Sequence, residues 1–527
     1  MESKTSGKKE WVSDEKVPSL TSKRWILAYL GCLGFFCVYA LRVNLSVAIV
    51  CMVIETPSNN TNSTNSSSSN DVCGADSTDH TSDNRGEFDW DKTIQGIVLS
   101  SFFYGYLATN VLGGWMAGVF GGRRVWGTGM FIAAISTVLI PVGARFSYKI
   151  VIFLRVVNGL AQGVSFPSMH AMLGRWAPVA DRSKLASFTY AGQNLGNIVT
   201  YIVSGVLCAH GFDNGWGSIF YVSGGVVFLW VLAWFLLVAD SPEMHPTISV
   251  AERNYIIRGR GKTSHRDIVV PWLAIAKSRA MWMCLMAHIG NNWLNYTLVT
   301  GLPMFMKEVL RFDIQQNGVF TAIPYMVMTV TMISAGYAAD FIRSRYLSTT
   351  YTRRLFQAAA FLGSGACMVG VGFVDCQHRE LAVVILAMAV GFEGLSFAGY
   401  MVNHVDFAPR YAGVLMGITN MVATVPGILA PTVIGALTPG KTQDEWRTVF
   451  YICAGMCFFG AIFFGGFAKG ELEPWAVVAE EHTVTPEVQE KPRSDHEEGQ
   501  VNSAFSTNEE LAPQKDKYST YSMWSRL

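Results

Sequence analysis

The sequence is poor in charge. Asp, Glu, Lys and Arg make up only 15% of the 527 residues, whereas soluble domains carry about 25%. The two signs nearly cancel to a formal net charge of +1, so the charge balance gives no indication of a nucleic-acid partner, and we predict none. Half of the residues are hydrophobic, which leaves too little polar surface for an ordinary soluble protein.

Motifs for chemistry are missing as well. The inner loops between hydrophobic runs are short and contain no nucleophile–base constellation and no metal-ligand spacing, so we do not expect an enzyme. No cofactor or metal is predicted either, beyond a proton or sodium ion as a coupling ion. A ring of pore-lining residues, which would favour a channel, is not apparent.

What is present is a series of apolar runs, each long enough to cross a ~30 Å hydrocarbon layer as a helix. We predict an all-α membrane protein with twelve transmembrane helices, called spans 1 to 12, in two six-helix halves. The predicted spans cover residues 25–54, 93–118, 125–146, 150–173, 185–209, 216–238, 280–305, 317–339, 355–374, 380–404, 413–437 and 447–468.

The segments between the spans predict the orientation and the domains. Short loops rich in arginine, such as "GGRR" at 121–124 and "RSRYLSTTYTRR" at 343–354, alternate onto one face, which the positive-inside rule makes cytoplasmic. Both termini are then cytoplasmic. The predicted divisions are a tail (1–24), a first half (25–238) with an outer loop (55–92), a linker (239–279), a second half (280–468) and a disordered tail (469–527).

The outer loop after span 1 carries three N-glycosylation sequons, at Asn59, Asn62 and Asn65, although sequons also arise by chance in Asn/Ser-rich linkers. Most of the ten cysteines lie within spans, where we interpret them as small core residues. Cys73 in the outer loop and Cys376 between spans 9 and 10 both face the oxidising side. A disulfide between these two is therefore a candidate, although the sequence gives no distance.

Two parts of the chain repeat one another. The segment "GGWMAGVFGGRR" follows span 2 and "AGYAADFIRSR" follows span 8, and each places arginines after a helix end rich in small residues. Asp340 and Arg343 in the second copy are predicted to form a latch that holds one conformation, or to serve as a positive-inside anchor. Six spans, a basic linker and six similar spans describe the major facilitator architecture.

Several segments are more specific than this architecture. "YALRVNLSVAIV", "SSFFYGYLATNVLGG", "FPSMHAMLGRWAP" and "NHVDFAPRYAGVLMGITN" resemble the anion–cation symporter family, which contains sialin, the vesicular glutamate transporters and the type I sodium–phosphate transporters. The resemblance extends over residues 24 to 475, and the residues of these segments resemble those of sialin most. It implies transport of an organic or inorganic anion.

Ionisable residues inside spans are few, and each costs at least ~2.5 kcal/mol to insert. Arg42 in span 1 and Arg155 in span 4 can each present a rigid guanidinium fork to a carboxylate or phosphate. We predict that both face a water-filled cavity and bind the substrate anion, a role that the resemblance also implies for these positions. The alternative for Arg42 is a side chain that snorkels to the outer interface.

The sequence also departs from the family it resembles. The resemblance implies glutamates in span 4 where this chain has Asn158 and Gln162, which cannot titrate. Glu393 stands in span 10, where the relatives have small or neutral residues. We predict either that Glu393 has taken over as proton acceptor or cation ligand, or that it forms a fixed salt bridge with Arg155 or Arg42.

Other polar and aromatic residues are candidates for the same site. Tyr104 and Tyr106 of "FFYGY" either pack in the core or border the substrate path, where a hydroxyl group would contact the anion. Asn291 stands where the vesicular glutamate transporters have an arginine, which argues against glutamate as the substrate. Three histidines are candidates for coupling or gating, or for ordinary packing and hydrogen bonding: His170, His288 and His404.

The sequence therefore favours a secondary active transporter of an acidic sugar, an acidic amino acid or phosphate, driven by membrane potential, protons or sodium. A non-transporting anion sensor or scaffold on the same fold is the alternative. The expected partners are the small anion, the lipid bilayer and, through the terminal Ser-x-Leu, a PDZ-domain protein. The plasma membrane and a lysosomal or vesicular membrane are both open as locations.

Overall fold

A computed structural model describes residues 21–54, 86–178, 181–259, 270–408 and 411–476, and helices coincide with all twelve predicted spans. The helices of the first half are Lys23–Met52 (span 1), Lys92–Phe120 (span 2), Gly122–Val138 with Ile140–Phe146 (span 3), Tyr148–Gln162 with Ser165–Trp176 (span 4), Arg182–His210 (span 5) and Trp216–Leu237 (span 6).

The second half follows two short helices, Val250–Gly259 and Trp272–Lys277, in the linker. Its helices are Arg279–Glu308 (span 7), Ile314–Arg345 (span 8), Thr349–Val371 (span 9), Arg379–Glu393 with Gly394–Ala398 and Tyr400–Phe407 (span 10), Ala412–Val422 with Val425–Leu437 (span 11) and Gln443–Phe467 (span 12).

Two spans are less apolar than the others. Within the described ranges, eight helical segments are long and apolar enough to cross a membrane, and two bent pairs raise that number to ten. Spans 5 and 7 fall outside this group. They carry buried asparagines in their middle turns, such as Asn197 and Asn291, because these helices face other helices rather than lipid.

Side-chain caps set where several spans begin. Asp91 accepts a hydrogen bond from the third residue of span 2, and Asp313 caps span 8 in the same way. Thr442 and Glu445 form a capping box at the start of span 12. The matching caps of spans 2 and 8 are a further sign of the internal repeat.

Each half repeats the same packing. Span 1 packs on span 5, span 2 on span 4 and span 3 on span 6, while span 7 packs on span 11, span 8 on span 10 and span 9 on span 12. The halves meet where span 5 contacts span 8, span 2 contacts span 11 and span 1 contacts span 7. Related halves that face each other across such an interface are the basis of alternating access in transporters.

Polar contacts hold the two halves together at one side. We call it the outer side, after the predicted orientation of the C-terminal end of span 1. There Lys307 of span 7 donates to the carbonyl oxygen of Val50 in span 1 at 2.6 Å, and Lys92 of span 2 forms an ion pair with Glu308. These contacts join spans 1, 2 and 7.

Close backbone contact closes the same side between spans 5 and 8. A Cβ atom built on Gly205 would lie 3.0 Å from the Cα atom of Gly318, and one built on Gly318 would lie 2.5 Å from the carbonyl oxygen of Tyr201. Small residues allow membrane helices to approach this closely. The outer side is therefore closed in this structure.

The linker attaches to the first half. Glu252 of the linker helix accepts hydrogen bonds from the backbone N–H groups of Lys23 and Arg24 at 3.1 and 3.0 Å, and Arg24 also pairs with Asp181 at 3.4 Å. A carboxylate is stabilising at a helix N-terminus. The linker helix and the first half thus form one unit at the side opposite the outer side.

A disulfide joins Cys51 at the end of span 1 to Cys208 near the end of span 5. The interpretation of cysteines within spans as small core residues is therefore wrong for this pair, because both lie at outer helix ends. Cys376 is also disulfide-bonded. Its predicted partner Cys73 lies outside the described residues, as do the three sequons, at Asn59, Asn62 and Asn65.

Candidate functional site

The charge in span 1 lies among aromatic rings. Arg42 is buried, with 7% of its surface exposed. Its guanidinium carbon lies 4.7 Å from the ring centre of Tyr39, one turn earlier, and 5.1 and 4.8 Å from the ring centres of Phe102 and Tyr106 in span 2. These cation–π contacts stabilise the cation without neutralising it. The side chain is thus enclosed by protein rather than directed to the outer membrane–water interface.

The Arg42 guanidinium retains unused donors. Its Nε and Nη2 atoms are buried and have no hydrogen-bond partner among the described residues. Buried polar atoms ordinarily have one, and a planar pair of N–H groups matches a carboxylate or phosphate. Tyr296 of span 7 is an electrostatic neighbour of Arg42 and packs on Phe103, with 4.6 Å between the ring centres. We call Arg42 and the rings of Tyr39, Phe102, Tyr106 and Tyr296 the anion pocket. Because Tyr296 comes from the second half, this pocket lies at the interface between the halves.

Arg155 points at the backbone of span 1. It donates from Nη1 to the carbonyl oxygen of Leu41 at 2.9 Å and from Nη2 to that of Arg42 at 3.3 Å. Its guanidinium carbon lies 5.2 Å from the ring centre of Phe102. This does not match the expectation that Arg155 faces a water-filled cavity, since the side chain is only 2% exposed. It holds the backbone that carries Arg42, and its direct contact with substrate stays a prediction.

The two amides of span 4, Asn158 and Gln162, join span 4 to span 3. Asn158 donates to the carbonyl oxygen of Ala133 at 3.1 Å and to Oγ1 of Thr137 at 2.7 Å. Gln162 donates to Oδ1 of Asn158 at 2.5 Å. Both side chains are fully buried, and they hold helices together inside the first half.

The two candidate tyrosines of span 2 face different ways. Tyr106 is 3% exposed and contacts Arg42, whereas Tyr104 is 43% exposed and shares a helical stripe with the exposed Trp115. The structure thus brings only Tyr106 to the pocket. Sequence reasoning missed Tyr39 and Tyr296. The spacing of three residues from Arg42 would have found Tyr39, but no local signal marks Tyr296.

Glu393 lies in the second half, paired with amides. Its Oε1 accepts hydrogen bonds from Asn295 at 3.1 Å and from Asn291 at 3.3 Å, both in span 7. Glu393 is 2% exposed, and its Oε2 has no partner in the described part of the chain. None of the ion pairs found between described residues includes Glu393. The salt bridge predicted with Arg42 or Arg155 is therefore not formed in this structure.

The three candidate histidines are not gathered at one site. His288 and His404 are buried in the second half, where His288 lies 5.0 Å from the Tyr400 ring and His404 Nε2 lies 3.2 Å from Oγ1 of Thr419. His170 is exposed in the first half. Their roles in coupling or gating stay predictions.

The predicted latch residues pair with each other. Asp340 and Arg343 form an ion pair of 3.5 Å within span 8. A more buried pair, which sequence reasoning missed, joins two helices: Arg353 of span 9 donates to Asp406 of span 10 at 2.6 Å. It joins the first part of span 9 to the end of span 10, and no short motif relates its two residues.

Comparisons with known proteins agree with this architecture. The model of the family described as Major Facilitator Superfamily matches residues 31–431. Sialin from Homo sapiens is 42% identical over 467 residues, covering 88% of this chain and 92% of sialin. Vesicular glutamate transporter 1 from Bos taurus is 36% identical over 460 residues, covering 86% of this chain and 78% of that transporter.

Solved structures share the fold at low identity. A bacterial homolog of the human lysosomal transporter Spinster, in an inward-facing and unoccupied conformation, is 11% identical with a TM-score of 0.66 and covers 86% of this chain and 99% of its own. The xylose transporter XylE from E. coli, in an inward-open conformation, is 15% identical with a TM-score of 0.60, covering 84% and 95%.

Proposed function

Because the chain belongs to the major facilitator superfamily, we propose that it is a secondary active transporter of a small anion that works by alternating access. The observation that carries this proposal is the buried Arg42 guanidinium. It lies between the halves, two of its nitrogens lack partners, and aromatic rings surround it.

A guanidinium in this setting selects charge and shape. A carboxylate or phosphate group that bridges Nε and Nη2 would satisfy both donors at once. The rings of Tyr39, Phe102 and Tyr106 would contact the less polar part of the same molecule. An acidic sugar, an acidic amino acid and phosphate all carry the anionic group that the guanidinium requires. The acidic sugar and the acidic amino acid also have a less polar part that can contact the rings.

The closed outer side supports a carrier that opens to one side at a time. Lys307, Lys92 and the close contact of Gly205 with Gly318 join the halves there. Release of these contacts and rocking of the halves would expose Arg42 to the outer side. We place the carrier in the plasma membrane or in a lysosomal or vesicular membrane, with both termini cytoplasmic. The lipid bilayer is its surrounding partner, and the proposed PDZ ligand lies outside the described residues.

Uptake into liposomes tests this function. Purified protein is reconstituted and given labelled glutamate, an acidic sugar or phosphate under an imposed potential, proton gradient or sodium gradient, one at a time. We expect uptake of one anion class, and we expect Arg42→Gln to lower the initial rate at low substrate about 30-fold or more, because hydrogen bonds to a charged group are lost. Arg42→Lys keeps the charge but not the fork, so its rate falls between the two.

The matched control is Arg124→Gln, which removes an exposed arginine of span 3 and should leave uptake unchanged. Anion binding that depends on Arg42 but is never followed by flux, under any gradient, would instead favour the sensor or scaffold. Uptake that is equal in Arg42→Gln and wild type would remove Arg42 from the substrate site.

A further inference from the structure

A buried carboxylate without a cation stands at the centre of the second half. Glu393 is 2% exposed, and only one of its two oxygens is hydrogen-bonded within the described residues. Its ionisable neighbours include Tyr325 of span 8, Tyr400 of span 10, and Cys453 and Cys457 of span 12, and none of these groups carries a positive charge in any state. A buried carboxyl group is ordinarily paired with a cation, coordinated to one, or protonated.

The helix that carries Glu393 is broken at this point. The α-helix of span 10 ends at Glu393, a 3-10 turn runs over Gly394–Ala398, and a new helix starts at Tyr400. Gln357 of span 9 holds this break open, because it accepts from the N–H of Tyr400 and donates to Ser396, both at 3.1 Å. The carbonyl groups of Val390, Gly391 and Phe392 accept from the N–H of Gly394, so hydrogen bonding continues from the α-helix into the 3-10 turn.

One further buried oxygen atom belongs to the same cluster. Oδ1 of Asn291, whose Nδ2 donates to Glu393, has no hydrogen-bond partner among the described residues. Asn291 and Asn295 lie four residues apart on one face of span 7, and both reach Glu393. A half-turn of either amide exchanges its nitrogen for its oxygen, so these side chains can supply oxygen ligands.

From these observations we propose that Glu393, Asn291 and Asn295 form a sodium-binding site at the break of span 10. The carboxylate supplies the charge, and the amide oxygens supply neutral ligands of the kind that hard cations take. The role of this site in coupling rests on the proposed transport function. Sodium binding itself does not, because it can be measured without transport.

Span 7 connects this site with the anion pocket. Asn295 contacts Glu393, and the next residue, Tyr296, packs on Phe103 and neighbours Arg42. Sodium bound by Asn291 and Asn295 would fix this turn of span 7, and with it the wall that the second half contributes to the anion pocket. Occupation of one site thus favours the geometry of the other, which is the coupling that symport requires.

The test is the effect of sodium on the stability of the purified full-length protein, with no transport substrate present. The melting midpoint is measured in sodium chloride and in choline chloride at equal ionic strength and pH. We expect sodium to raise the midpoint by about 3 °C in the wild type. We expect Glu393→Gln to abolish this rise and Asn295→Ala to increase the half-saturating sodium concentration about tenfold.

The matched control is Glu380→Gln, which removes an exposed carboxylate from the first turn of the same helix and should keep the full sodium effect. Equal midpoints in sodium and choline for the wild type, or an unchanged sodium effect in Glu393→Gln, would overturn the proposal. A midpoint that follows pH through Glu393 but ignores sodium would make the group a proton acceptor and overturn the sodium site. Sodium binding without anion uptake would keep this site and refute the transport function.

Discussion

Arg145 binds two carboxylates at the outer side of the first half. It donates from Nε to Glu87 at 2.8 Å and from Nη2 to Asp213 at 2.6 Å, and Trp216 also donates to Glu87 at 3.2 Å. The hydrogen bond from Arg145 holds the pKa of Glu87 below its usual range. This cluster joins the segment before span 2 to the C-terminal end of span 3 and to the start of span 6.

The lowered pKa of Glu87 predicts how stability depends on pH. Its contribution is fully present above the ordinary glutamate pKa of about 4.3 and is lost as the pH falls through the lower pKa of the folded state. We therefore expect Glu87→Gln to melt below the wild type at neutral pH and to converge with it as the pH falls below about 4. The control is Asp89→Asn at an exposed carboxylate. A difference that stays constant over the whole pH range would contradict the assignment.

Two side chains of span 9 bond the break in span 10: Gln357, and Arg353, which donates from Nη1 to the carbonyl oxygen of Ala398 at 3.0 Å. Gln357 is fully buried and bonds both sides of the break. We expect Gln357→Ala to destabilise the protein by about 1–3 kcal/mol, because a buried N–H and a hydroxyl group lose their partners. Chemical or thermal unfolding measures this loss, and Gln315→Ala at an exposed position of span 8 is the control. If Gln357→Ala were as stable as the control, the break would not need the Gln357 hydrogen bonds.

The elements show where sequence reasoning succeeds and where it stops. Spans are predictable because each needs a long apolar run, and the amides Asn158 and Gln162 can be read from the sequence, although only the family resemblance implies that they replace glutamates. The direction of Arg155 is not, because it depends on how closely span 4 approaches the Leu41 carbonyl group of span 1. The break beside Glu393 is equally hidden, since a side chain of another helix, Gln357, stabilises it.

At the scale of the whole molecule, the contact between Gly205 and Gly318 decides whether the outer side can close. A side chain on Gly205 would meet the backbone of span 8 at 3.0 Å, and backbone cannot move aside as a side chain can. We expect Gly205→Leu to hold the outer ends of spans 5 and 8 apart. Spin labels on these two ends should then report a longer distance than in the wild type.

Gly225→Leu is the matched control, because a Cβ atom on Gly225 would meet nothing within 4 Å. Unchanged label distances in Gly205→Leu would show that another contact sets the closure. The repeat and the family resemblance predict the two halves, but not which side is closed. One sequence encodes both conformations, and they differ in contacts between distant residues rather than in local pattern.

The disulfide between Cys51 and Cys208 joins spans 1 and 5, which belong to the same half. Rocking of one half against the other therefore never has to break it. Lys307 donates to the carbonyl oxygen of Val50, the residue beside Cys51. When that hydrogen bond is released, the disulfide still keeps the outer end of span 1 next to span 5. The covalent bond therefore makes the outer ends of spans 1 and 5 move together when the outer side opens.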